Sequence, residues 1–219
     1  MFLNITNKIE MGYINMSNAS TQVDFYTAVQ NRRSYYAISK ESVASDERIQ
    51  EIVEFAVKHV PSSFNSQTGR VVVLLGEQHD KLWNITTETL KGVVPEEKFA
   101  PTQEKMDMFQ AGYGTILFFE DQSIIRSLQD QFAAYAENFP IWSNQSSGML
   151  QFAIWTALES EGFGATLQHY NPLIDEKVAA EWNISEDWKL IAQMPFGKPT
   201  APAGDKEFAP LDQRVKVYK

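Results

Sequence analysis

Three short apolar segments place the strongest constraint on how this chain folds. They span residues 71–75, 115–119 and 188–194. Aliphatic and aromatic runs of this length, bounded by glycine, aspartate or proline, predict strands that are buried in a sheet. The segments around them have helical spacing, and the predicted helices outnumber the strands. The chain of 219 residues is therefore expected to form an α/β or α+β domain around a small sheet.

Six helices are predicted, and the second has the clearest signals. Ser45 is its predicted N-cap, acidic residues follow in its first turn, and Pro61 ends it. Pro140 is predicted to end the fifth helix. Residues 164–169 are predicted to be extended, and residues 214–218 alternate in polarity, which predicts an edge or exchanged strand. The six helices are expected at residues 23–33, 45–60, 82–90, 104–110, 124–139 and 147–161.

Composition excludes several classes of function. The formal net charge is -9, with 28 acidic and 19 basic residues, so binding to nucleic acid or to anionic membranes is not expected. No apolar run is long enough to span a membrane. The absence of cysteine excludes disulfides and thiolate catalysis and favours a cytoplasmic location. Residues 1–20 are expected to be a polar tail without a signal sequence, and residues 21–219 a single domain.

Several catalytic motifs are absent from the sequence. There is no G-x-S-x-G, so no nucleophile elbow is expected. Gly112-Tyr113-Gly114 precedes a strand instead of opening a helix, so it does not meet the structural test for a Rossmann fingerprint. Glu159 and Glu161 are expected to face solvent at a helix end. The histidines are far apart and lack the spacing of metal ligands: His59, His79 and His169.

Two basic clusters have the chemistry to hold an anion. The first is Arg32, Arg33 and Ser34, where two planar guanidiniums and a hydroxyl suit phosphate oxygens. The alternative for this cluster is a solvated helix C-terminus, where arginine also interacts well with the helix dipole. The second is Gly197 and Lys198, which place a cation directly after the last predicted strand. The alternative here is a surface lysine in a turn.

A loop of small, amide and aromatic residues lies between the second predicted helix and the first predicted strand. Its neutral donors and acceptors suit the edge of a uracil-like ring, and loops on rigid elements commonly bind ligands. The alternative is an ordinary capped turn. The candidate binding residues in this loop are Ser62, Ser63, Phe64, Asn65 and Gln67.

In their order along the chain, these clusters resemble motifs of the nitroreductase family. The R-R-S motif is matched at residues 32–34, P-S-S-x-N-S-Q at residues 61–67 and G-K-P at residues 197–199. Residues 161–165 also resemble the family's E-G-x-G segment. The resemblance extends over residues 23–219. The loop together with the R-V-V-V-L-L-G that follows is most similar to the fungal fatty-acid-repression type and its bacterial relatives.

The resemblance implies an α+β fold with a central, mainly antiparallel sheet flanked by helices. It also implies an intertwined homodimer with two FMN sites at the subunit interface. Arg32 and Lys198 would hold the FMN phosphate with support from Ser34, and the loop would reach the flavin partly from the partner. The implied FMN-binding residues are Arg32, Arg33, Ser34, Ser62, Ser63, Phe64, Asn65, Gln67, Gln168, His169, Gly197 and Lys198.

The implied activity is the reduction of nitroaromatics, quinones or similar acceptors by NADH or NADPH. Hydride would pass through flavin N5 in two half-reactions, so no side-chain nucleophile is required. Two departures from the family pattern bear on this. Tyr36 stands where many relatives have a cation near flavin N1, and Arg33 or Arg70 are the candidates to replace that cation. Thr68 and Gly69 stand where many relatives have Pro-Trp.

Two other functions are compatible with the sequence. The first is a flavin-binding protein that acts as a store or regulator with little turnover, which the missing cation at Tyr36 permits. The second is a binding module of α+β fold without flavin. Oxidation of NADH or NADPH with a nitroaromatic separates the first from an enzyme, and the colour of the purified protein separates the second.

Overall fold

A computed structural model describes residues 23–219 of the chain. The predicted polar tail, residues 1–20, lies outside the described residues. The sheet within the described part has five strands, in the order β1-β5-β3-β2, with β4 pairing to β5. Every pairing between these strands is antiparallel. The strands are β1 Ile38–Ser39, β2 Gly69–Leu75, β3 Gly114–Asp121, β4 Gly164–Ala165 and β5 Trp188–Pro199.

Helices surround this sheet, which makes the domain α+β as the resemblance implies. The α-helices in the described part are α1 Phe25–Asn31, α2 Asp46–His59, α3 Glu77–Lys91, α4 Ala100–Gln110, α5 Gln122–Gln131, α6 Phe139–Ser160 and α7 Asp175–Glu181. The predicted N-cap of α2 is confirmed, because the Ser45 hydroxyl accepts a hydrogen bond from the backbone N–H of Arg48 at 3.2 Å. The short helix α7 has no counterpart among the six predicted helices.

Strand β3 divides the core into two layers, because its side chains alternate between the two faces of the sheet. All eight of its residues are buried, as predicted for residues 115–119. Ile116 and Phe118 pack with α2 and α6 on one face. Leu117 and Phe119 pack with α3, α4 and α7 on the other. Strand β2 lies at the edge of the sheet, so residues 71–73 are only partly buried and the prediction of a fully buried strand there is wrong.

Two prolines do not end elements as the sequence predicts. The helix predicted at residues 124–139 stops at Gln131 and is followed by a 3₁₀ helix, Ala133–Asn138. Pro140 instead lies in the first turn of α6, where its missing N–H has no helical partner to lose. Strand β5 continues through Pro195, whose carbonyl still accepts from the Thr166 N–H at 3.2 Å.

The end of the chain forms no strand in the single subunit. Residues 214–218, predicted as an edge or exchanged strand, follow a 3₁₀ helix, Leu211–Gln213, and are exposed. An exchanged strand would need a second chain as its partner.

His79 is a buried polar residue that fixes α3 against β3. Its Nδ1 lies 2.8 Å from the Thr115 hydroxyl and its Nε2 lies 3.2 Å from the Gln110 carbonyl oxygen. Because a carbonyl only accepts, Nε2 carries the proton and Nδ1 accepts from the hydroxyl. Burial lowers the pKa of His79, which favours the neutral ring in the folded protein.

We expect replacement of His79 to remove part of the acid sensitivity of folding. The folded pKa lies below the unfolded value of about 6.5, so this contribution is present above that pH and is lost as pH falls through the folded pKa. Urea unfolding of wild type and His79→Gln between pH 8 and pH 5 should give curves of stability against pH that converge toward low pH. His59→Gln, at an exposed histidine, is the matched control. Parallel curves for wild type and His79→Gln would contradict the assignment.

Candidate functional site

The structure brings the two predicted basic clusters together at one end of the sheet. Ser34 forms a bridge with Ala165 of β4, and the Tyr35 N–H donates to the Ala165 carbonyl at 3.0 Å. Strand β4 pairs with β5 at Gly197, and β1 pairs with β5 at Lys198. The three short segments therefore converge on the last residues of β5. We call residues 32–34 and 197–198 the basic end.

Arg32 is the residue of the basic end that stacks on aromatic rings and keeps an unpaired donor. Its guanidinium lies 4.4 Å from the ring centre of Trp155 and 6.0 Å from that of Phe152. Its Nε is buried and has no hydrogen-bond partner within residues 23–219. Burial lowers the pKa of Arg32 and the neighbouring Arg33 lowers it further, while Glu159 acts in the opposite direction. A stacked cation with an unpaired donor is suited to hold a charged acceptor.

The other predicted residues of the basic end make contacts within the chain. The Arg33 guanidinium donates to the Gly204 carbonyl and so ties down the segment after β5. The Lys198 ammonium is exposed and pairs with Glu41. Gly197 is required for packing, since a Cβ there would lie 2.3 Å from the Ser39 carbonyl oxygen. Its small size lets β1 approach β5 and places Lys198 at this end.

Gln168 and His169 follow β4. Gln168 forms a bridge with Gln193 of β5, on the same edge of β5 that β4 pairs with. The Gln168 N–H donates to the Gln193 carbonyl at 2.7 Å, and its side-chain amide donates to Thr166 at 3.0 Å. Gln168 is therefore buried and held by the chain itself, whereas His169 is exposed.

The prediction that the acidic residues at the end of α6 face solvent is wrong. Glu161 accepts two hydrogen bonds from the Arg48 guanidinium at 2.9 and 2.7 Å. Glu159 is partly buried near Arg32, and burial raises its pKa while Arg32 lowers it. Glu161 thus pairs with a cation of α2 and Glu159 lies near a cation that follows α1, which helical spacing alone does not reveal.

The predicted binding loop, residues 61–67, has a strained backbone. Phe64, Asn65 and Gln67 have φ values of 57°, 50° and 49°. Such left-handed residues cost on the order of 1–3 kcal/mol each outside glycine, less for asparagine, and they cluster at functional sites. The Gln67 N–H donates to the Ser62 hydroxyl at 2.9 Å and closes the loop. Phe64, Asn65 and Gln67 are exposed, so the loop presents its distinctive side chains outward.

The loop packs on a cluster of aromatic side chains through Phe64. The Phe64 ring lies 5.0 Å from that of Phe132, 5.4 Å from Phe139 and 6.0 Å from Trp142. Phe64 is nevertheless 52% exposed. One face of its ring thus packs on the 3₁₀ segment and α6, and the rest is available to a ligand or a second chain.

Within one chain the loop and the basic end lie at opposite ends of the sheet. Gly69 pairs with Glu120, which pairs with Lys189 near the start of β5. Lys198 lies near the other end of the same strand. At about 3.3 Å per residue, residues 189 and 198 are roughly 30 Å apart. The structure therefore unites the first and third predicted clusters and leaves the second too far away to share one ligand with them.

Tyr36 and a cation that no motif marks, Lys105, both lie near the ring of Phe109. The Tyr36 ring is 6.3 Å from that of Phe109, and the Lys105 ammonium is 5.8 Å from the centre of the same Phe109 ring. Arg33 and Arg70, the predicted substitutes for a cation at Tyr36, contact Gly204 and Asp121 instead. Lys105 lies on α4, far from Tyr36 in sequence, and no motif marks it.

A buried acidic group lies behind the loop. Glu120 is 1% exposed, and its Oε2 accepts a hydrogen bond from the Ser143 hydroxyl. Its Oε1 has no partner within the described residues, and it borders a cavity of about 130 Å³ that Ser62 and Gln67 also line. Burial raises the pKa of Glu120, which outweighs the opposing effects of nearby hydroxyls and Arg70. This raised pKa favours the neutral acid.

Neither a metal-binding group nor a membrane-spanning helix is found in the part of the chain that the structure describes. Between residues 23 and 219, no group of three or more histidine, cysteine, aspartate or glutamate side chains is arranged to hold a metal ion. None of the helices described is long and apolar enough to cross a membrane.

Comparison with known proteins shows which family and which relatives this chain resembles. The model of the nitroreductase family matches residues 29–198. The Saccharomyces cerevisiae protein HBN1 is 35% identical over 202 residues, which are 91% of this chain and 99% of HBN1. The nitroreductase FRM2 of the same yeast is 32% identical over 198 residues, 89% of this chain and 97% of FRM2. The nitroreductase CinD from Lactococcus lactis, solved with chloramphenicol, is 48% identical with a TM-score of 0.83, covering 90% of this chain and all of CinD.

We expect Glu120→Gln to stabilise the protein in a pH-dependent way. The folded pKa of this acid lies above its unfolded value, so its favourable contribution is full below the unfolded pKa and is lost as pH rises through the folded pKa. The amide cannot ionise, so the variant should gain on wild type as pH increases and should lose that gain near pH 4. Thermal unfolding from pH 4 to pH 9 measures the difference. A difference that does not vary with pH would contradict a buried neutral acid.

Proposed function

The chain belongs to the nitroreductase family, and from that premise we propose that it is an FMN-dependent oxidoreductase. It would use NADH or NADPH to reduce nitroaromatics, quinones or similar acceptors. The observation that carries the proposal is the stacked Arg32 cation, which has no acceptor for its buried Nε within residues 23–219 and lies at the same end of the sheet as Lys198. Two cations at one end of the sheet suit a phosphate dianion.

The residues present fit FMN in the following way. Arg32 and Lys198 would hold the phosphate, and the exposed Ser34 hydroxyl would support it. Lys198 would exchange Glu41 for the phosphate, since an exposed ion pair is weak. The backbone at 168–169 would lie beside the ring. When bound, FMN would supply the redox chemistry between the nicotinamide donor and the acceptor.

The distance between the clusters supports a homodimer. Loop residues 62–67 lie roughly 30 Å from the basic end of their own chain, at about 3.3 Å per strand residue, so they would serve the FMN held by a second copy. Ser62, Asn65 and Gln67 would supply neutral groups for the ring edge. Exposed apolar side chains are abundant enough to form such an interface: Phe25, Tyr26, Phe55, Ile141, Phe152, Phe208, Val217 and Tyr218.

Lys105 completes the proposed site near the flavin. A cation near N1 stabilises the anionic reduced ring, and Tyr36 occupies the position where many relatives have one. We propose that Lys105, which lies 5.8 Å from the centre of the Phe109 ring that Tyr36 also approaches, takes that role. A cytoplasmic location, expected from the absence of cysteine, stays a prediction.

The presence of Tyr36 also favours a second candidate function. If no cation lies near flavin N1, because Tyr36 replaces the one that many relatives have, the chain would bind flavin for storage or regulation and turn over little. Steady-state oxidation of NADH or NADPH with 4-nitrophenol or chloramphenicol distinguishes this from an enzyme. These compounds are bound in structures of CinD.

We expect Lys198→Ala to weaken FMN binding by about 1.5–3 kcal/mol, the usual contribution of a hydrogen bond to a charged group. That is roughly tenfold or more in dissociation constant. Arg32→Ala should do at least as much, because its guanidinium can bind bidentately and is oriented by Trp155. Isothermal titration with FMN and with riboflavin, which lacks the phosphate, measures both effects.

The comparison of the two ligands provides the control. Riboflavin binding should be nearly indifferent to either change, and Lys40→Ala, an exposed lysine paired with Asp80, should affect neither ligand. Equal losses for FMN and riboflavin would show general destabilisation and remove both residues from the phosphate site.

A further inference from the structure

Arg70 is the centre of a set of contacts at the base of the loop. Its Nη1 donates to the Gln67 carbonyl at 2.7 Å and to the Gly69 carbonyl at 3.0 Å. Its Nη2 donates to Asp121 Oδ2 at 3.0 Å. The guanidinium also lies 5.6 Å from the ring centre of Trp188. One side chain thus connects the loop, the end of β3 and the start of β5.

The loop conformation requires such an anchor. Three of its non-glycine residues have positive φ, and Gln67 is the last of them before β2 begins. The N–H of Gln67 is held by Ser62 and its carbonyl by Arg70. Both peptide groups of this strained residue are therefore fixed, and its exposed side chain has a defined direction.

Asp121 holds the guanidinium in place. It caps α5 by accepting from the backbone N–H groups of Ser123 at 3.0 Å and Ile124 at 3.5 Å. Burial acts to raise the pKa of Asp121, but a hydrogen bond from the Ser123 hydroxyl, these backbone hydrogen bonds and Arg70 outweigh it and leave the pKa below its ordinary value. The Asp121 N–H also donates to the Thr68 carbonyl at 2.9 Å. The carboxylate is therefore ionised and rigid, and it orients Arg70 toward the loop.

We propose that Arg70 is a positioning residue for the cofactor. It does not touch the ligand of its own chain's basic end. It holds residues 61–67 in the conformation, with three left-handed residues, that presents Ser62, Asn65 and Gln67 to the ligand bound by the second copy. The inference rests on the proposed function for the identity of that ligand. The part of the inference that Arg70 holds the loop rests only on contacts within the chain.

The test uses variants that separate charge, geometry and general stability. Arg70→Gln removes the cation, and Arg70→Lys keeps the charge but lacks the planar fork that reaches two carbonyls and a carboxylate. Arg48→Gln is the matched control, because Arg48 also bridges a partly buried carboxylate, Glu161, at a place away from the loop. Hydrogen exchange of the peptide containing residues 62–68 and titration with FMN and riboflavin are measured for each full-length protein.

We expect both Arg70 variants to speed exchange in the loop and to raise the dissociation constants of FMN and riboflavin alike, by about tenfold for Arg70→Gln. Arg48→Gln should lower thermal stability without either effect. Unchanged loop exchange in Arg70→Gln, a loss confined to FMN, or the same loop and flavin effects in Arg48→Gln would overturn the proposal. Failure of wild type to bind FMN would refute the proposed function instead, and the exchange measurement would still decide whether Arg70 holds the loop.

Discussion

The antiparallel pairing of β5 is the interaction on which the rest of the structure depends. This strand, Trp188–Pro199, pairs with β3 along most of its length and with β1 and β4 at its end. Its final residues gather Ser34, Ala165 and Lys198 at one place. Its first residue supplies the ring against which Arg70 packs, beside the loop. A single extended strand therefore fixes both halves of the proposed site and also holds them apart.

This separation has a chemical consequence for a planar cofactor with a charged tail. The basic end offers cations for a phosphate but few neutral groups for a ring edge, and the loop offers the reverse. Under the proposed function neither half would suffice alone, and a complete site would require a second subunit that brings its loop to the basic end. The unpaired Nε of Arg32 and the exposure of Phe64, Asn65 and Gln67 both support this proposed assembly.

The sequence predicted best those features that depend on neighbouring residues. The Ser45 cap and the buried strand at residues 115–119 follow from local chemistry and are confirmed. Pro140 and Pro195 misled the prediction, because a proline ends an element only where its N–H is needed, and tertiary pairing decides that. The motifs indicated Arg32 and Lys198 as candidate phosphate-binding residues. The contacts of Arg70 and Lys105 could not be predicted in this way, because they depend on residues outside those motifs.

Mixed dimers test most directly whether the site is built from two chains. One chain carries Arg32→Ala with Lys198→Ala, and the other carries Asn65→Gly with Gln67→Gly, since glycine accepts their left-handed backbone. Co-expression with two different tags and sequential purification isolates the mixed dimer. Two-fold symmetry predicts one intact site per mixed dimer, hence about half the wild-type content of FMN, while each variant homodimer binds little. A mixed dimer that binds no more FMN than its parents would contradict the account.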